Sequence, residues 1–243
     1  MTVPHGLVAL INPNTSQATT AMMTAIARRT LRPDDGYEVR GLTVADGPAM
    51  LVTEDALRAS APQVVRAAQQ ALAGPDGARI GAFVVSAFGD PGVEALRALT
   101  DVPVVGIAEA AMAEAATAGV ATAGAGTAGA ATSGRRFGIA TTTPGLTDAI
   151  TARVDMLGWA DRFTGIRLTP GDPLRLAASP EEMTERLAEA VEACVTEDGA
   201  EAVIIGGGPL GESAEALRAR FPVPVIGPIP SACARVRELL ASA

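Results

Sequence analysis

The chain has 243 residues, 48% of them apolar, enough to bury a substantial core in one or two domains. Its 27 Asp and Glu against 19 Lys and Arg leave a net charge of -8. That excludes a basic nucleic-acid surface, because phosphate binding needs clustered cations. No apolar run reaches the roughly 18 residues of a spanning helix. The N-terminus has no charged segment followed by a long apolar one. The expectation is a cytoplasmic protein with no membrane contact.

Residues 7–12, LVALIN, read as a strand, and 16–31 as a helix with Ser16 as N-cap. Residues 37–44 are a second strand. Residues 53–74 read as a helix that Pro62 interrupts or restarts. A buried strand over 80–87 leads into a helix over 92–99, then a strand over 102–107 and a helix over 108–118. Residues 117–134 are a low-complexity run of Ala, Gly and Thr, read as a connection between two halves. The alternation then resumes: strands over 136–141, 163–169, 201–206 and 223–228, helices over 144–157, 180–197, 212–221 and 231–242. Strands alternating with helices argue for parallel sheets covered on both faces.

The second half repeats the first. Val84-Val85 fall on Ile204-Ile205, Glu94-Ala95-Leu96-Arg97 on Glu215-Ala216-Leu217-Arg218, and Pro103 on Pro224. Pro13 aligned with Pro144 matches the two chain starts, and Ala87 falls on Gly207. The expected fold is α/β, with two similar lobes related by a pseudo-twofold axis, each a mainly parallel sheet with flanking helices. The boundaries are 1–116 for the first lobe, 117–134 for the connecting insert and 135–229 for the second lobe, with helix 230–243 packing on the first. Ligands of such sheets bind outside the carboxyl ends of the strands. The loops 12–16, 86–92, 141–144 and 206–211 would therefore face one cleft between the lobes.

Side-chain chemistry in those loops is sparse. The two cysteines, Cys194 and Cys233, fall inside predicted helices away from the turns, and free cysteines are commonly core residues. His5, the single histidine, precedes the first strand and so lies at the wrong end of the sheet. One histidine and two dispersed cysteines make no zinc site, and no metal is expected. Asn14 and Thr15 either bind a ligand at a helix start or simply cap the helix. Thr141 and Thr142 carry the same two readings. Backbone N–H groups after Ser86 and Gly206 are candidates for an oxyanion cradle. Asp90 reads as the cap of the helix it opens. Ser86, Asp46 and Glu212 are the candidate catalytic side chains, Ser86 as nucleophile and the carboxylates as bases.

The loop segments INPNTS (11–16), GPAMLVTEDAL (47–57), FGDPGVEALR (88–97), VPVVGIAEAAM (102–112) and RFGIATT (136–142) resemble the Asp/Glu/hydantoin racemase superfamily. The resemblance is greatest to its hydantoin and allantoin racemase branch. It covers nearly the whole chain, and only residues 117–134 have no counterpart. It implies a cofactor-independent isomerase, a small-molecule substrate and a homo-oligomer. It also implies a reaction in which one thiolate removes a proton beside a carbonyl and a second thiol returns it from the opposite face. The two thiol positions fall at Ala87 and Gly207, and neither carries sulfur. The implied binding residues are Asn14, Thr15, Ser86, Ala87, Phe88, Thr141, Thr142, Gly207, Gly208 and Pro209.

The expectation is an enzyme acting on a hydantoin, ureide, amino acid or related acid by a route other than two thiols. A lyase, decarboxylase or hydrolase on the same scaffold, and a non-catalytic binding protein, remain alternatives.

Overall fold

The computed structural model describes residues 6–33, 36–117 and 134–242. His5 and residues 118–133, most of the Ala/Gly/Thr run, lie outside the described residues. The first half forms β1 (Gly6–Asn12), α1 (Gln17–Thr30), β2 (Tyr37–Thr43), α2 (Glu54–Ala73), β3 (Ile80–Val85), α3 (Val93–Arg97), β4 (Val104–Gly106) and α4 (Ile107–Thr117). The second forms β5 (Phe137–Thr141), α5 (Thr147–Met156), β6 (Phe163–Leu168), α6 (Pro173–Ala177), α7 (Pro180–Thr196), β7 (Ala202–Ile205), α8 (Gly211–Leu217), β8 (Val225–Ile226) and α9 (Pro228–Ala241).

Each half builds one four-stranded parallel sheet, in the order β2-β1-β3-β4 and β6-β5-β7-β8. The shared order is the pseudo-twofold repeat expressed in topology. Central strands β1 and β7 are buried along nearly their whole length. That explains their uninterrupted apolar sequences, since a parallel sheet is covered on both faces. Ser16 caps α1 by accepting from the Thr19 amide, and Thr53 caps α2 through the Ala56 amide.

The last helix of each half packs across the pair. Ala108, Ala111, Met112, Ala115 and Ala116 of α4 pack with Phe137, Ile139, Ala202 and Ile204 of the second sheet. Ile229, Ala232, Cys233 and Val236 of α9 pack with Val8, Leu10 and Val84 of the first. Helices α4 and α9 also pack against each other. Small alanines on α4 let the second sheet come close, and the exchange joins the halves into one body. Among the described residues no helix is long and apolar enough to cross a membrane.

Two local expectations are corrected. Helix α2 runs unbroken through Pro62. A proline there removes one backbone hydrogen bond, and the buried stripe Leu57, Ser60, Val64 and Ala68 holds both sides of it in line. The repeat is also registered differently from the proline match. The Ser86 amide donates to Ile11 O and the Gly206 amide to Ala140 O. Asn12 is therefore the partner of Thr141, two residues from the Thr143 that the Pro13–Pro144 match gives it. The same bonds make Ser86 equivalent to Gly206 and Ala87 to Gly207.

Candidate active site

At the carboxyl ends of β1, β3, β5 and β7 the two halves enclose a pocket of about 60 Å³. Its polar lining is Asn14, Ser86, Thr142 and Thr143, and its apolar lining includes Met50, Leu51, Leu57, Phe88, Leu146 and Leu210. Ala87 and Gly206–Pro209 complete the walls. Of the described residues lining it, none has a titratable side chain.

The loop after β1 is held by its own side chains. Asn12 is fully buried, and its Nδ2 donates to Asn14 Oδ1 at 2.9 Å, to Thr20 Oγ1 at 3.0 Å and to Ser16 O at 3.1 Å. Asn14 Oδ1 also accepts from the Ser16 amide at 2.9 Å. Its oxygen is thus spent inside the loop, and among the described residues its Nδ2 has no partner. Thr15 does not line the pocket. Its amide donates to Pro48 O at 3.1 Å and its hydroxyl reaches toward Gly47 O at 3.4 Å. These bonds anchor the 44–53 segment, which brings Met50 and Leu51 over the pocket. Gly145 supports the far end of that segment, because a Cβ there would press on Val52 O at 2.5 Å.

The facing turns meet backbone to backbone. A Cβ on Gly208 would stand 2.9 Å from Ser86 O and 2.7 Å from Met23 Sδ. A Cβ on Gly206 would lie 2.7 Å from Ile139 Cγ2 and 3.5 Å from the Phe88 ring. The glycine run 206–208 thus allows a close approach between the two halves. Thr141 lies beneath this wall, fully buried, with its hydroxyl donating to Gly206 O at 2.8 Å. It braces the turn, and Thr142 and Thr143 reach the pocket.

Ser86 is 2% exposed, and its hydroxyl has no hydrogen-bond partner among the described residues. Thr164 and Thr169 also hold unpartnered buried hydroxyls, but neither lines this pocket. The backbone amides of Ala87, Phe88, Thr142, Thr143 and Gly208 likewise find no acceptor among the described residues.

Asp90 does not cap the helix it opens. Its carboxylate accepts from the amides of Ala108 at 2.8 Å and Glu109 at 2.9 Å, capping α4 instead. It also accepts from Arg153 Nε of α5 at 3.1 Å. Burial pushes the Asp90 carboxyl up to about 7, against the pull of the Arg153 guanidinium and the two amides.

The other sequence candidates lie elsewhere. Asp46 pairs with Arg66 at 3.3 Å with its side chain 67% exposed. Glu212 is exposed in the first turn of α8. Neither carboxylate lines the pocket. Cys194 and Cys233 are buried in α7 and α9, and burial pushes each thiol up to about 12. Cys194 faces Gly138, near the start of β5 and away from the strand ends that form the pocket. Replacing both cysteines by alanine is expected to lower stability by about 1–3 kcal/mol through lost packing. Binding of a pocket ligand should stay within a few-fold, as thermal melts and calorimetry would show. Loss of binding in the folded double variant would place the site elsewhere.

The family model described as Asp/Glu/Hydantoin racemase matches residues 8–236. A hydantoin racemase of Pseudomonas sp. (strain NS671) is 30% identical over 219 residues, covering 90% of this chain and 80% of its own. A hydantoin racemase of Paenarthrobacter aurescens is 29% identical, covering 96% and 90%. The solved allantoin racemase from Klebsiella pneumoniae superposes with a TM-score of 0.82 at 28% identity, over 98% of this chain and 88% of that one. With the fold, the pseudo-twofold pocket and these likenesses together, the chain belongs to the Asp/Glu/hydantoin racemase family, on its hydantoin and allantoin racemase branch.

Proposed function

We propose that this chain is a hydantoin-racemase-like enzyme acting at a carbon next to a carbonyl of a small, uncharged hydantoin or ureide, by a route that does not use a pair of thiols. The observation that carries this is the Ser86 hydroxyl, buried and, among the described residues, unpartnered, on a pocket whose described lining holds no charged side chain. A buried hydroxyl without a partner costs roughly 1–3 kcal/mol, so a polar atom of a ligand is its natural complement. An amino acid would bring an ammonium and a carboxylate into a lining with no counter-ion, and unpaired buried charge is costly. A neutral ring with an amide or ureide edge has no such penalty. The free amides of Ala87, Phe88, Thr142, Thr143 and Gly208 would take up charge on the ligand's carbonyl oxygen as hydroxide from solvent removes the proton of the neighbouring carbon, giving the enolate and water. Asn14, Thr142 and Thr143 offer side-chain hydrogen bonds to the rest of the ring.

The lack of a titratable side chain in the lining favours a second reading, a ligand-binding protein without turnover. Two measurements separate these. Calorimetric titration should show 5-isopropylhydantoin binding about tenfold or more tightly than aspartate or glutamate. Tighter binding of either amino acid would sink the neutral-ring assignment. Proton NMR in D₂O then follows the hydantoin C5 signal. Loss faster than in buffer alone supports the enzyme, and binding without such loss supports the binding protein.

A further inference from the structure

The buried charges between the halves converge just behind the pocket. Asp90 is the only non-glycine residue at positive φ among the described residues, at 53°. Conformations of this kind persist where the surroundings over-determine them, often at functional sites. Here the surroundings are visible. The Asp90 amide donates to Ala87 O at 3.0 Å, closing the turn that carries Ala87 and Phe88. Its carboxylate receives the first two amides of α4 that follow Ile107 and the Arg153 guanidinium from the second half. Gly106 has no Cβ because that space is filled by the Asp90 carboxyl. Arg153 is itself buried and also binds Glu94 of α3 and, at 3.1 Å, Glu109 of α4. Glu109 is held in turn by Arg97 of α3 and by the Gly106 amide. One residue therefore ties a pocket wall to α4 and, through Arg153, to the half that carries the other wall.

We propose that Asp90 is a positioning residue whose ionised carboxylate fixes the spacing of the two pocket walls, by locking the Ala87–Phe88 turn onto α4 and onto Arg153 of the second half. A protonated Asp90 gives up one charge-assisted acceptor, the Arg153 Nε bond weakens, and the turn is released from its cross-half tether. The charged groups facing Asp90 are Arg153 from α5, Glu109 from α4 and, one contact further, Glu94 and Arg97 from α3. Arg153 favours the ionised form, while burial and Glu109 oppose it. Because folding raises the Asp90 value, the folded protein holds this proton more tightly than the unfolded chain does. Its contribution to stability therefore falls as pH rises from the ordinary 3.8 to about 7. Ionisation orders the wall at a cost in stability, a trade common at functional sites.

This inference rests on the pocket being the ligand site, but its test needs no ligand. The Phe88 ring lies over Gly206 of the opposite wall, so it reports the spacing. Protein labelled with 4-fluorophenylalanine, with the Phe88 resonance assigned by Phe88→Leu, is titrated from pH 5.5 to 8.5. The wild type should show one step with a midpoint of about 7, and Asp90→Asn should show none. Arg153→Gln should raise the midpoint and Glu109→Gln lower it, each by about one unit. A purely structural role would not move a midpoint in opposite directions. A step that persists in Asp90→Asn, a wild type without a step, or a midpoint unchanged in both charge variants would overturn the proposal. If Asp90→Asn does not fold, the two charge variants decide. Failure here with intact hydantoin binding would leave the function standing, and the reverse would leave the clamp standing.

Discussion

Replacing Gly208 by alanine is expected to lower stability by about 1–3 kcal/mol and to abolish ligand binding. The reason is where the new carbon must go. At 2.9 Å from Ser86 O and 2.7 Å from Met23 Sδ it is inside contact distance of both. Met23 has a flexible side chain and can retreat. Ser86 O belongs to backbone whose amide is bonded to β1 through Ile11 O, so it cannot. The walls must separate by a few tenths of an ångström. In a pocket of about 60 Å³ that shift also moves Ser86 and the free amides off any shared ligand. Gly207→Ala is the control. The three atoms nearest its Cβ all belong to the Leu210 side chain, the closest at 3.0 Å, and its φ of 176° suits any residue. It should cost less than about 1 kcal/mol, within the range of mild substitutions. Denaturant midpoints and calorimetry on the two variants check this. Equal stability would show that the approach of the two turns is not a constraint.

Much of this arrangement was legible because it follows from local periodicity. Continuous apolar strands, the helical stretches between them and the repeated Val-Pro-Val-hydrophobic-Gly strand, at 102–106 and 223–227, signalled two similar lobes, each a mainly parallel sheet. What escaped was set by partners distant in sequence. The cap of α4 comes from Asp90, 18 residues before Ala108, so no capping motif near residue 107 announces it. Asp90 precedes a proline and reads locally as the cap of its own helix. Matching Pro13 to Pro144 slipped the register by two, because the prolines stand at different distances from their strand ends. Only the hydrogen bonds of Ser86 and Gly206 fix it. Arg153 sits in an ordinary helical pattern, and nothing local marks it as the buried cation between the halves. Asp46 and Glu212 lie near the right loops in sequence, yet their side chains turn outward. The apolar lining from Met50, Leu51 and Leu57 was visible as a family-like segment, but its place over the pocket depends on Thr15 and Gly145 holding it there.

Placing sulfur on both walls should raise proton exchange well above that of the unmodified chain. Among the described residues the pocket lining offers no acid or base, and positioned general acids and bases typically contribute about 10²–10⁴-fold each. Exchange of the C5 proton of 5-isopropylhydantoin by the wild type is therefore expected to exceed that in buffer alone yet to fall well short of what two positioned bases would give. Ala87→Cys with Gly207→Cys puts a thiol at each equivalent turn. The first has a ready position on the pocket wall. The second does not, because a Cβ at 207 already meets Leu210 Cγ and Cδ1 at 3.0 Å, and a sulfur beyond it needs the volume Leu210 fills. Adding Leu210→Ala opens that volume. Thiols beside unpaired amides at strand-to-helix turns should also ionise more readily than the buried Cys194 and Cys233, since nearby dipoles favour the thiolate. The expected order of exchange rates is wild type and Ala87→Cys lowest, the double variant above them, and the triple variant highest, by about tenfold or more over the wild type. Deuterium incorporation by NMR gives the rates, and a pH titration of thiol alkylation gives the ionisation of each new cysteine. A triple variant that folds, binds the hydantoin and carries ionised thiols yet exchanges no faster than the wild type would show that the walls no longer face a common carbon. Rapid exchange by the wild type would mean that a base outside the present lining reaches the ligand, and Asp46 and Glu212 would be the first to replace.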